Sequence, residues 1–502
     1  MSPLFYYSFL SLTFIITIKI LLQTQSRRLK NLPPGPPTIP IIGNLHHLKH
    51  PLHRTFATLS QKYGDIVSLW FGSRLVVVIS SASLVEECFI KNDVVLANRP
   101  RFLTGKYIFY DYTTLGSVSY GDHWRNLRRI TTIDVLSNNR LTSFLGVRTD
   151  EANRLIQNII KHGASRDFIK VELRSILTEM TFNGMMRMIS GKRYYGDDGD
   201  VTEVEEAKQF REIISEILSL LGANNKGDFL PLLRWFDLDD LEKRCKKIAN
   251  RADAFLEGLI QEHRSANHGN GDTMIDHLLK LSEVQLNIIP SHIIKGLIQA
   301  MLLAGTDTSA LAIEWVMSEL LNHPEVLNKA KEEIETQVGK NKIIDEQDLP
   351  KLPYLQNIIS EALKLHPPAP LLLPHYSSED CTIGGFNVPK DTIILTNVWA
   401  IHRDPTRWSD ALSFKPERFE KEGEVNKLMA FGIGRRACPG LSLAQRTVGL
   451  NCGACWFQCF EWKRESEEKL DMMEGKVLPC LKRSPFKALC KGTTLLPNDL
   501  MK

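Results

Sequence analysis

The chain has 502 residues, 43% of them hydrophobic and 24% charged, with 31 Gly, 24 Pro and nine Cys. That balance supports a large buried core and excludes disordered, collagen-like and disulfide-scaffold classes. The net charge of +4 excludes the basic stripe of a dedicated nucleic-acid binder, and a mean hydropathy of −0.15 excludes a polytopic membrane protein.

Residues 4–22 form an apolar run interrupted only by Lys19 and followed by Arg27, Arg28 and Lys30. A helix rising about 1.5 Å per residue carries such a run across most of a hydrocarbon core of about 30 Å. Basic flanks stay cytosolic, so the order predicts an uncleaved anchor over residues 1–26 with all that follows in the cytosol. A cleaved signal peptide carries its positive charges before the apolar stretch. Pro33, Pro34, Pro36, Pro37 and Pro40 then give a stiff spacer, placed in a basic and Pro-rich linker over residues 27–44.

No later linker or repeat marks a boundary, so residues 45–502 read as one large domain. Strands are predicted at 66–71 and 75–79, turned by Gly72 and Ser73. Helical patterns follow at 155–161, 204–221, 238–263, 292–321, 324–338 and 355–365. The fold class is therefore mainly α with small β-sheets. The polar loops at 197–200 and 267–272 lack calcium-ligand spacing and read as solvated turns.

Two segments carry chemistry. Mid-helix, Ala304-Gly-Thr-Asp-Thr-Ser309 sets hydroxyls and a carboxylate among Leu297, Ile298, Met301, Leu302, Leu303 and Leu311. Ser, Thr and Asp compete with the helical ladder, so the patch predicts a local opening or bend. Further on, Gly432 and Gly434 precede Cys438, and Pro439 and Gly440 follow it, with Arg435 and Arg436 alongside. Such a loop favours thiolate, the form that ligates iron or attacks a substrate. A small buried hydrophobe and a nucleophile are the other readings of that cysteine. Cys452, Cys455 and Cys459 stand at helical spacing without a fourth ligand and read as packing residues.

In these segments the chain resembles the cytochrome P450 superfamily, whose haem loop reads Phe-x-x-Gly-x-Arg-x-Cys-x-Gly. Phe431, Gly434, Arg436, Cys438 and Gly440 meet every fixed position, and matching segments cover almost the full length. The resemblance implies a single haem-thiolate domain with haem b, Cys438 as axial thiolate and Arg436 on a propionate. It implies proton delivery to dioxygen by Asp307 and Thr308. Trp124 and Arg128 match the Trp-x-x-x-Arg helix near a propionate, and His375 stands where another donor is often found. The family triad of Glu-x-x-Arg with a downstream Arg becomes Glu361, Lys364 and Arg418. Lys lacks the planar fork of Arg, which predicts weaker bonding and lower haem retention than a Lys364→Arg variant.

Residues 32–37, 97–100, 366–374 and 401–405 look like plant microsomal enzymes, and the chain most resembles the legume isoflavone 2′-/3′-hydroxylase group. That implies B-ring hydroxylation of a flat isoflavone such as formononetin or daidzein, at C2′ or C3′. It implies a cavity lined by Phe102, Tyr107, Leu220, Leu221, Ala300, Ala304, Leu371 and Leu372, and partly by the divergent segment 475–492. No Gly-rich dinucleotide fingerprint follows a strand, so NADPH acts only through a partner. The implied partner is NADPH-cytochrome P450 reductase at the endoplasmic reticulum, meeting a basic patch drawn from Arg128, Arg129, Lys427, Arg435 and Lys463. A haem-thiolate isomerase or dehydratase usually lacks the Asp307-Thr308 pair. Another plant phenylpropanoid or flavonoid activity, or an impaired ligand-binding copy, is the alternative that Lys364 and the altered tail motivate.

Overall fold

The structure is a computed structural model describing residues 3–26, 30–164, 167–196, 204–222, 225–230, 233, 240–265, 272–284, 289–339, 342–475 and 479–493. Arg27, Arg28, the 197–200 loop, most of the 267–272 loop, and the side chains of Lys19 and Cys455 lie outside the described residues. The chain divides into two compact units, Met1–Leu103 with Asn224–Glu242 and Leu371–Ile401, and Thr104–Ala223 with Lys243–Pro370 and His402–Lys502.

The first unit contains the apolar helix Pro3–Ser26, whose Tyr6, Tyr7, Phe9 and Phe14 are exposed. The predicted hairpin is present, with Ile66–Phe71 antiparallel to Arg74–Ile79 across the Gly72-Ser73 turn. Ile393–Thr396 adds parallel to the second strand, and His375–Tyr376 closes a four-stranded sheet antiparallel to Ile393–Thr396. Parallel pairing requires a long crossover, which is why these late strands are not legible beside the hairpin. Phe56, Val67, Leu69, Val76, Val78 and Leu371 form this unit's core.

The second unit is helical around Asp307–Asn322, with every residue from Ser309 to Asn322 buried. The expected helices appear at Leu145–Ile159, Val204–Gly222, Leu241–Ser265, Ser291–Asn322 with a break, Pro324–Gln337 and Pro353–Leu365. Leu173–Ser190 is a helix that the sequence pattern does not announce. Most of its residues are buried, including Met180, Met185, Met186 and Met188, so no polar face imposes a 3.6-residue period. Ser291–Asn322 is long and apolar enough to cross a membrane, yet two thirds of its apolar window is buried inside this unit, as in a core helix.

The segment from Cys480 to Phe486 is pinned to that same helix. Trp315 Nε1 donates to Cys480 O (3.1 Å), Lys482 Nζ to Ser318 Oγ (2.7 Å), and the Phe486 N–H to the Glu314 carboxylate (2.9 Å). Lys487–Gly492 then pairs between Ile169–Glu172 and Phe460–Lys463 in a three-stranded sheet. Cys452 and Cys459 are fully buried in the core, as packing residues, where the chain passes through a π-helical stretch at Asn451–Gln458.

Candidate active site

Cys438 is placed by glycine-dependent turns. Gly432 and Gly434 adopt φ of 72° and 70°, which a Cβ would strain, and the Cys438 N–H donates back to Phe431 O at 2.8 Å. Helix Leu441–Leu450 starts after Gly440, whose N–H points at the cysteine sulfur. Cys438 is exposed to solvent in the polypeptide alone. Crowding of protein atoms around the sulfur nevertheless raises its thiol pKa through desolvation, opposed by the Gly440 N–H and by Arg128.

The guanidinium groups correct one expectation. Arg436 donates to Leu115 O (3.1 Å) and Val118 O (2.5 Å) and lies over the Trp124 ring, while Arg435 lies over Tyr120. These two tie the loop to residues 115–124. The charge that acts on the sulfur is Arg128, half-buried and donating to Ala437 O at 2.6 Å, so it is also no part of an exposed patch. Local sequence proximity overstates the influence of Arg435 and Arg436 because their long side chains point elsewhere. Arg129, Arg435 and Lys463 are exposed; Arg129 faces Asp134, Lys427 pairs with Glu424, and Lys463 lies over Phe168.

The predicted opening of the long helix is present. Ser291–Gly305 and Asp307–Asn322 are separate helices joined at Thr306, whose φ and ψ are −87° and −79°. Thr306 Oγ1 donates to Leu302 O (2.8 Å) and Thr308 Oγ1 to Ala304 O (2.5 Å), so both hydroxyls occupy backbone acceptors at the break. Burial raises the Asp307 pKa. Ala300, Ala304 and Thr308 fall on one face at four-residue spacing, and Ala304 is exposed where most of the helix is buried.

The triad closes with Lys. Lys364 Nζ donates to Glu361 Oε1 (3.2 Å) and Ala411 O (2.8 Å), while Arg418 Nε takes Glu361 Oε2 (2.8 Å) and its other nitrogens reach Ser409 O and Asp410 O. Burial lowers the Lys364 pKa to about 8, with Glu361 pulling the other way, and burial also raises Glu361. A residue that sequence reasoning did not single out links this cluster to the cysteine loop. His402 Nδ1 bonds Lys364 O (3.1 Å) and its Nε2 accepts the Met429 N–H (3.0 Å), and Met429 O receives the Gly432 N–H. Burial holds the His402 pKa at about 3, so the ring stays neutral and bridges two backbones. No spacing signal marks such a bridge.

The remaining candidates separate. His375 belongs to the first unit, buried against Phe89, with Nδ1 on Leu96 O at 2.8 Å. There Leu371 is core, Leu372 is half-buried and Phe102 packs under Arg74. In the second unit Tyr107 sits beneath Lys106 and Lys246; Leu220 is 1% exposed and packed by protein, whereas Leu221 is 38% exposed. Trp124 is buried and Phe431 packs on the main core.

The cytochrome P450 family model matches residues 33–489. The chain is a cytochrome P450. It is 79% identical over 502 residues to isoflavone 3′-hydroxylase of Medicago truncatula, covering 99% of this chain and all of that one. Isoflavone 2′-hydroxylases of Glycyrrhiza echinata and Medicago truncatula are 59% and 58% identical, covering 97% of this P450 and 96% of each relative. A solved zebrafish cytochrome P450 structure with progesterone shares the fold, with TM-score 0.75 and 24% identity over 89% of this chain and all of that one.

P450s are haem monooxygenases whose iron is held by a cysteine thiolate. This P450 fits that group on two observations: an exposed sulfur that meets the Gly440 N–H and the Arg128 charge, and a small-residue helix face that opens to exposed Ala304 beside a broken ladder. When bound, the haem supplies the activation of dioxygen, one atom entering the substrate and the other leaving as water.

Proposed function

We propose that this P450 hydroxylates the B ring of isoflavones such as formononetin or daidzein, at C3′ in preference to C2′. The 79% identity to an isoflavone 3′-hydroxylase, against 58% and 59% for the two 2′-hydroxylases, carries the reading. Cys438 holds the haem iron; Trp124, Arg128, His375, Phe431 and Arg436 hold the porphyrin and its propionates. Asp307, whose burial favours the proton-bearing form, and Thr308 at the helix break pass protons toward the oxygen side. Ala300 and Ala304 leave room for a flat ring.

The same reading takes residues 45–502 as one haem domain behind a single anchor at 1–26, on the cytosolic face of the endoplasmic reticulum. NADPH-cytochrome P450 reductase supplies the electrons at a face that includes Arg129 and Arg435. Turnover should fall as salt rises, because exposed charges steer association and are screened.

Microsomes carrying this chain and a plant reductase, supplied with NADPH and daidzein, should yield the 3′-hydroxylated product. A normal carbon-monoxide difference spectrum without isoflavone product would reject the substrate. Product at C2′ alone would reject the position.

A further inference from the structure

Helix Pro353–Leu365 ends on carbonyls that it cannot pair within itself, Lys364 O and Leu365 O among them. Consecutive side chains of one turn cap these two. His402 Nδ1 donates to Lys364 O at 3.1 Å, and Arg403 donates to Leu365 O at 2.5 Å. The same turn also reaches the chain that leads into the cysteine loop. His402 Nε2 accepts the Met429 N–H at 3.0 Å, and Arg407 donates to Lys427 O at 3.2 Å.

The two His402 bonds fix one tautomer. A carbonyl only accepts and an N–H only donates, so the proton sits on Nδ1 and Nε2 is bare. Both ring nitrogens are thereby spent on backbone. His402 is 0% exposed and Met429 3%, so bulk water replaces neither bond, and without its acceptor the Met429 N–H would be a buried unpaired donor. Trp408 stands edge-on to the imidazole, with centroids 6.3 Å apart and planes at 89°, and helps to hold its plane.

From Met429 the connection to the sulfur runs through backbone alone. Met429 O receives the Gly432 N–H at 2.9 Å, closing the first turn of the loop, and Phe431 O receives the Cys438 N–H at 2.8 Å. The other end of the loop is held by Arg128 on Ala437 O and by Arg436 on Leu115 O and Val118 O. His402 supplies the matching tie at the Met429 end.

We propose that His402 is a positioning residue for the Cys438 thiolate: by fastening Met429 to the end of helix Pro353–Leu365, it sets where the loop presents the sulfur to the iron. The inference rests on Cys438 being the haem ligand, as in the proposed function. Of the two ring nitrogens, Nε2 serves the loop and Nδ1 serves the helix cap, so the two can be separated.

Three variants of the full-length, haem-loaded protein make that separation. His402→Phe keeps a planar ring and loses both bonds, His402→Gln offers an amide oxygen at the Nε2 position, and His402→Asn offers an amide nitrogen at the Nδ1 position only. In His402→Phe, haem should pass to a scavenging globin about tenfold faster, as for one buried donor left unpaired. Part of its reduced carbon-monoxide spectrum should move from the thiolate position to the shorter wavelength of a lost thiolate. His402→Gln should bring both readouts back toward wild type, and His402→Asn should not. Hydrogen exchange at the Met429, Gly432 and Cys438 amides should be faster in the Phe and Asn variants and near wild type in the Gln variant. A general packing defect would move the Gln and Asn variants alike. Equal behaviour of those two, or a wild-type spectrum and haem transfer rate in His402→Phe, would overturn the proposal; where His402→Phe does not fold, the contrast between Gln and Asn decides. A thiolate spectrum retained in Cys438→Ser would reject the ligand assignment alone, with hydrogen exchange in the His402 variants still deciding the tie.

Discussion

At the residue scale, Lys364 stands where the Glu-x-x-Arg pattern of the family has Arg. The ammonium reaches one carboxylate oxygen and one carbonyl, while Arg418 Nε and the Lys415 N–H complete the bonding of Glu361. His402 ties the backbone of Lys364 to Met429, whose carbonyl receives the Gly432 N–H of the cysteine loop that the proposed function places at the haem. Lys364→Arg should raise haem occupancy per polypeptide; equal carbon-monoxide difference spectra from the two proteins would count against this. The pH dependence differs as well. A folded pKa of about 8 against the ordinary 10.5 means the unfolded chain binds more protons between those values, so stability rises with pH through this window and is lost as pH falls through 8. Arg stays charged throughout. The thermal stability of the wild type relative to Lys364→Arg should therefore improve from pH 8 to 10.5, by at most about 3 kcal/mol. Motif matching alone was enough to find the Glu361, Lys364 and Arg418 set, whereas His402 needs the fold, since nothing in its neighbours signals two backbone partners far apart in sequence.

Among the elements, the helix break and the cysteine loop are where the proposed chemistry sits. The mid-helix hydroxyls were legible as a bend because Ser, Thr and Asp have backbone alternatives in any setting, and the structure places the interruption at Thr306. Thr308→Ala removes a hydroxyl that the proposed proton path uses. Product formation should fall by roughly a hundredfold while NADPH consumption persists, with peroxide in place of product. Retained coupling would remove Thr308 from the path. In the loop, Gly434 is exposed and sits at φ of 70°, so Gly434→Ala meets backbone strain. The variant should lose about 1–2 kcal/mol, visible as a lower Tm and a smaller carbon-monoxide signal. The helix Leu173–Ser190 was illegible for the opposite reason, since burial on most sides erases the pattern that reveals a helix.

For the whole molecule, the apolar helix Pro3–Ser26 exposes its aromatic residues and stands before a proline-rich stretch. Removing residues 1–26 should release the protein from the membrane fraction and leave the carbon-monoxide spectrum intact. Loss of the spectrum on release would make the segment part of the haem domain. Composition, the apolar N-terminal helix, the haem-loop motif and the break in the long helix were legible in sequence alone, because each depends on neighbours within about one or two turns of chain. What only the tertiary structure decided is where long side chains go. Arg435 and Arg436 flank Cys438 in sequence yet bind residues 115–124, while Arg128 reaches the loop from more than three hundred residues away. Leu220 looks like its neighbour Leu221 in sequence, and packing alone buries one and exposes the other. Side-chain reach and burial are set by which elements fold against each other, and that information is non-local.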